Sequence, residues 1–294
     1  MKFAIHRAEV EKSFRDYTSA YNLNDAKVKL KVDHTFRVAA LSDVITDSLG
    51  MTGYDKDLAW LLGMLHDIGR FEQVRRYHTF RDALSINHAE LSADILFRDG
   101  LINNFIIEEN NVSCEAARPA DCNLQNKQDN CSLMYSLPSP SEEYLLIEKV
   151  IRLHNVFQLP DDLTERELRF ATILRDADKL DIVRVNVETP RSEIYNVQED
   201  IFLDSEITDE VYEAILQRRN LFRNMMKTPA DLMMGHVSFV FGLVYPVSVR
   251  LMKEQGYLES VLQFPSRNKR TRQRFAEIRK VVHEYMEERI RGNL

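Results

Sequence analysis

Turn-forming residues are scarce. The 294-residue chain carries nine glycines and eight prolines, too few for the many tight turns of an all-β protein. Cysteine is scarcer still. Cys114, Cys122 and Cys131 are an odd number, and their spacings of eight and nine residues are not a zinc-site pattern. With no secretory features around them, a disulfide framework is not expected. No apolar run approaches the ~20 residues of a membrane span. The longest, Val237–Val249, is interrupted by Pro246. It reads as a buried helix, serving either the core or the interface of a homodimer. The opening MKFAIHRAEVEKSF is broken by charge at once and lacks the apolar centre of a signal peptide. A basic surplus is also missing: the net charge is −7, which argues against nucleic acid as the main partner. A soluble, cytoplasmic protein without a membrane partner is the expectation.

What the chain does have is helical periodicity, with strand-like alternation in no long segment. Helices are expected over about 7–21, then from Asp25 to about Leu49, where Val32, Phe36, Ala39 and Ala40 share a face. Asp55 can cap the next, whose stripe is Leu58, Leu61, Leu62 and Leu65. Ser85 is the expected cap of a helix over Ile86–Phe97. Residues 108–142 are rich in Asn, Ser, Gln and Pro and read as a loop insertion. Ser139-Pro140-Ser141-Glu142 then offers a capping box, and Thr164 with Glu167 a second one. Further helices are expected from Thr208 to about Met226, from Pro229 through Val249, and over about 268–291. The all-α chain divides into residues 1–185 and a helical extension, 186–294, packed on the same core.

The chemistry concentrates in a few polar residues set in apolar surroundings. His66-Asp67 ends the apolar helix LAWLLGMLHDIGR. A buried, ionised Asp is costly unless paired or bound to a cation. His34 lies on another helix with apolar flanks (KVDHTFRVAAL), and Asp178 sits in ILRDADKLDIV. On that helix Arg175, Asp178 and Asp181 recur every three residues and share a face. Guanidinium groups suited to phosphate follow the His-Asp pair at Arg70, Arg75, Arg76 and Arg81. Lys179 neighbours Asp178 and could reach the same place. His78 could donate a proton to a leaving oxygen. Asp181 reads as a group that orients a ligand or pairs with an Arg. The basic run SRNKRTRQR (266–274) is mixed with downstream glutamates and reads as a solvated helix face.

In its order of His, His-Asp and a late Asp in A-D-x-L, the chain resembles the HD-domain metal phosphohydrolases from about Val28 to Val185. That resemblance implies a bundle of about five helices, with His34, His66, Asp67 and Asp178 as ligands of one metal. Relatives with two metals add histidines between the doublet and the late Asp. By this likeness His88 and His154 would complete a second site, with Asp67 bridging. Arg70 stands where many relatives carry Lys or Arg.

The implied cofactor is one or two divalent ions, Mn, Fe, Co, Ni or Zn, with Mg also compatible. Such an ion lowers the pKa of its water from 15.7 toward ~7 and makes hydroxide available at neutral pH. The implied activity is hydrolysis of a phosphomonoester or phosphodiester, a nucleotide or similar small molecule. Asp67 and Arg70 are expected at the reacting atoms, and Arg70, Arg75 and Lys179 on the substrate. An HD-type di-iron oxygenase and a non-catalytic regulatory module are the alternatives. No GYP segment is recognisable, which tells against a cyclic-dinucleotide substrate.

Overall fold

The structure, a computed structural model, describes residues 3–108 and 142–292. Apart from its two end residues, the expected 108–142 insertion lies outside the described residues, as do the three cysteines and most of the Ser139–Glu142 capping signal. Five helices come first: α1 (Arg7–Thr18), α2 (Ala26–Ser48), α3 (Gly53–Leu65), α4 (Ile68–Tyr77) and α5 (His88–Ala93). After the insertion come α6 (Glu142–Leu153) and α7 (Glu165–Glu188). The caps match the sequence signals at two key starts. The Asp25 side chain accepts the Lys27 amide at the head of α2, and the Thr164–Glu167 box opens α7. Each such cap stabilises by about 1 kcal/mol.

The eight residues Leu58–Leu65 of α3 are all buried. A helix apolar on every side belongs in the middle of a protein. Accordingly α3 packs against α2, α6 and α7. Each fully buried leucine there contributes roughly 1.5–3 kcal/mol. The chain then runs from α3 into His66-Asp67 without leaving the interior, so a polar pair arrives at the centre of the bundle. The strands among the described residues are two-residue pieces, Phe3–Ala4 paired antiparallel with Ile107–Glu108. The all-α class expected from the sequence is observed.

The second half adds α8 (Arg191–Tyr195), α9 (Glu199–Asp204), α10 (Asp209–Leu216), α11 (Pro229–Val237), α12 (Pro246–Gln255), α13 (Tyr257–Leu262) and α14 (Lys269–Ile290). Helices α12 and α13 pack on α7. The buried Asp176 of α7 accepts the backbone N–H groups of Val244 and Tyr245 at 3.0–3.1 Å, satisfying donors at the start of α12. No helix among the described residues is long and apolar enough to cross a membrane.

Four helix expectations are corrected. Asp55 lies inside α3, whose N-cap position is Thr52. The Ile86–Phe97 helix starts later, at His88, and continues past α5 as a π-helical turn over Asp94–Arg98. Asn87, whose side chain accepts the Ala89 amide, caps it, because the Ser85 hydroxyl bonds the Arg81 carbonyl and the Gln73 amide. The helix from Thr208 stops at Leu216, just before Arg218 takes φ 58°. The Pro229–Val249 segment is two helices joined by a 3-10 turn over Ser238–Gly242. Pro246, which has no N–H to give, starts α12 and could not continue α11. In α14 the basic run is answered locally: Arg267 pairs with Asp200, and Arg270 pairs with Glu206 and Asp209.

Candidate metal centre

Five elements converge on one buried spot. Helix α2 contributes Lys31 and His34, one turn apart. The end of α3 contributes His66 and Asp67. His88 is the first residue of α5, and His154 follows α6. Helix α7 contributes Asp178 and, one turn on, Asp181. The side chains of His34, His66, Asp67 and His154 are at most 3% exposed.

Two sets of ligand atoms result: His34, His66 and Asp178 in one, and Asp67, His88 and His154 in the other. Asp67 faces both. Its Oδ2 lies 3.4 Å from His34 Nε2 and 3.5 Å from His66 Nε2. Its Oδ1 lies 3.5 Å from His88 Nε2 and 3.8 Å from His154 Nε2. Asp178 Oδ1 closes the first set, 3.2 Å from His34 Nε2.

The histidines are oriented alike. Each Nδ1 is engaged outward: His34 with Asp181 at 2.6 Å, His66 with the Gly63 carbonyl at 2.8 Å, His88 with Asp82 at 2.6 Å, His154 with the Ile151 carbonyl at 2.7 Å. In a neutral imidazole an acceptor at Nδ1 makes that nitrogen the N–H and leaves Nε2 as a bare lone pair. The Nε2 atoms point at one another, 2.9 Å apart for His88 and His154 and 3.3 Å for His34 and His66. For the neutral His88–His154 pair the facing lone pairs repel. Asp67 Oδ1, buried and without a hydrogen-bond partner among the described residues, adds another. A donor set of imidazole nitrogens and carboxylate oxygens aimed inward suits divalent cations, which would remove both costs.

Arg175 holds the His154 loop. Its guanidinium donates to the carbonyls of Leu153, His154 and Val156 at 2.5–3.1 Å, and to that of Phe157 at 3.2 Å. Asp181 is shared between His34 and Arg37, so its expected orienting role is observed. Asp82 does the same for His88 and Arg70. Asp82 and Lys31 escaped the sequence reading. Lys31 Nζ lies 2.6 Å from Asp67 Oδ2, and its spacing of three residues from His34 was the available signal.

A cavity of about 640 Å³ opens on the centre, within the ~300–1,000 Å³ of ordinary ligand pockets. Lys31, Arg70 and Lys179 line it. Arg70 Nη1 is committed to Gln73, Asp82 and the Phe80 carbonyl, which leaves Nε and Nη2 on the site side. Lys179 Nζ donates to the Gly242 carbonyl at 2.7 Å. Arg75 is not among the lining residues; it is exposed and pairs with Glu72 at 2.6 Å. Arg76 also pairs with Glu72. His78 is exposed, ends α4 at φ 55°, and lies outside the cavity lining.

Burial pushes the His88 and His154 imidazoles down to about 4, and it lowers His66 as well. For His34 burial and the Lys31 ammonium act the same way, yet Asp178, Asp181 and Asp67 outweigh them and raise it to about 9. The carboxylates that favour a proton on His34 equally favour a cation at its Nε2. A ligand nitrogen must shed its proton. Metal affinity at the His34 set is therefore expected to rise about tenfold per pH unit up to pH ~9. The His88 set should be flat from pH 5 to 9. Titrating metal by calorimetry at several pH values checks this; two equal slopes would contradict it.

A buried histidine–carboxylate centre built where five helices meet could hold a metal ion. The HD domain family model matches residues 32–182, a little over half of the chain. The chain thus belongs to the HD domain family, part of the HD metal-dependent phosphohydrolase superfamily. No curated protein and no solved structure matches it.

Proposed function

We propose that the chain hydrolyses a phosphomonoester or phosphodiester of a small molecule, with two divalent ions shared through Asp67. The observation that carries this reading is the division of the Asp67 oxygens between two histidine sets. His34, His66 and Asp178 would hold one ion, and His88 and His154 the other. Bound there, the ions would supply an ionised water at neutral pH and neutralise phosphate oxygens.

The remaining residues receive and orient the ester. Lys31 and the Nε–Nη2 edge of Arg70, which faces Asp67 and His88, border the cavity and meet phosphate oxygens. Asp82 and Asp181 hold His88 and His34 in the tautomer that ligates. Arg175 fixes the loop that ends the second set. Arg75, committed to Glu72 on the outer side of α4, is left out of the substrate set.

The test is metal analysis of the purified protein, then a phosphatase and phosphodiesterase panel with added Mn, Co, Ni and Mg. Two equivalents of metal and phosphate-ester cleavage that stops with a chelator are expected. Turnover that requires iron and consumes oxygen would replace the reading with the oxygenase. Metal-loaded protein that cleaves no ester would remove it.

A further inference from the structure

The cavity is lined unevenly. Its acids, Asp67 and Asp178, both belong to the metal centre. The opposite wall comes from residues 220–226 and 238–239, beyond the family match at 32–182. That wall carries no carboxylate. It carries one cation, Arg223, and adjoins a second, Lys179 of α7. Arg223 is exposed and has no ion-pair partner among the described residues. Lys179 is half-buried and has the Gly242 carbonyl as its hydrogen-bond partner, which uses one of three N–H donors.

Asn220 and Asn224 line the wall beside these cations. The local backbone is shaped to let them meet. A β-carbon on Gly242 would overlap the Asn220 amide and stand 3.1 Å from Lys179 Nζ, so the close approach requires glycine. The carboxylates nearest the half-buried Lys179 ammonium are engaged elsewhere, Asp176 with the Val244 and Tyr245 amides and Asp178 at the metal centre. The exposed Arg223 guanidinium, without an ion-pair partner among the described residues, can fork onto an anion in the cavity. An anion would be matched by both.

We propose that Arg223, Lys179 and the Asn220 amide form a second anion subsite, and that the natural ligand carries a second anionic group, carboxylate or phosphate, apart from the scissile phosphate. This rests on the phosphohydrolase reading for the scissile group but not for the subsite. The wall outside the family match thus selects among esters that the metal centre alone would accept.

Inorganic phosphate is the probe, titrated calorimetrically into zinc-loaded wild type, Arg223→Ala, Arg223→Glu and Asp67→Ala. Wild type is expected to show two binding events. Arg223→Ala should weaken one of them at least tenfold and Arg223→Glu should erase it, with the other unchanged. Asp67→Ala should keep the Arg223-dependent event and lose the other. Because Arg223 is exposed, its variants are expected to fold, and circular dichroism checks this for all three. Wild-type phosphate binding untouched by either Arg223 variant would overturn the subsite. An Arg223-dependent event with no metal-dependent partner would uphold the subsite and count against the hydrolase reading. Carboxylate and phosphate sources are then separated by repeating the titration with acetate.

Discussion

Asp67→Ala is expected to release both metal ions and to abolish turnover. Asp67 faces both ligand sets: Oδ2 faces His34 and His66 while Oδ1 faces His88 and His154. Losing even a group that only orients a ligand typically costs ~10–100-fold in metal affinity or activity. Losing the shared ligand costs more, and costs it twice. The substitution also strips Lys31 of its 2.6 Å partner. Breaking a buried ion pair destabilises by about 3–5 kcal/mol, although Lys31 borders the cavity and can turn toward water, which reduces the loss. Elemental analysis alongside a turnover assay checks the result, with circular dichroism to confirm the fold. Protein that keeps two equivalents of metal, or normal turnover, would exclude the shared carboxylate.

The residues that converge at the centre were partly legible: His34, His66, Asp67 and Asp178 are polar residues in apolar surroundings, whereas His88 and His154 came only from the family resemblance. His66-Asp67 extends a helix buried on all sides, and Asp178 interrupts a run that contributes Ile173, Leu174 and Leu180 to the core. What orients those ligands was only half legible. Asp181 shares a helix face with Asp178, so spacing exposed it. Asp82 reaches His88 across a turn, and turn geometry is not written in periodicity. Arg75 was assigned to substrate by its nearness to Arg70 in sequence. Its true partner is Glu72, three residues back on the same helix, an (i, i+3) pair that local charge patterning does encode. The cavity's far wall was not legible at all. Residues 220–226 lie more than forty residues downstream of the late Asp on α7 and come to the cavity only through tertiary packing. No local pattern forecasts a contact across more than forty residues.

Gly69→Ala is expected to remove one metal ion and spare the other. Gly69 follows the His-Asp pair by two positions and packs α4 directly on α5. A β-carbon there would stand 2.6 Å from the Ser92 nitrogen and 2.9 Å from the His88 carbonyl oxygen. Both are backbone atoms and cannot swing aside as a side chain could, so α5 must shift. Overpacking of this kind costs about 1–3 kcal/mol, occasionally more, and the Gly69 amide's bond to Ser92 Oγ, now 2.9 Å, is strained as well. His88 moves with α5. Metal–ligand distances tolerate about ±0.2 Å, so the set made by His88, His154 and Asp67 loses its ion. His34, His66 and Asp178 stand on α2, α3 and α7 and keep theirs. Metal stoichiometry should therefore fall from two to one while the urea midpoint drops. A variant that melts like wild type and holds two ions would show that α5 has slack the packing does not reveal. Loss of both ions together would mean the two sets cannot be filled independently.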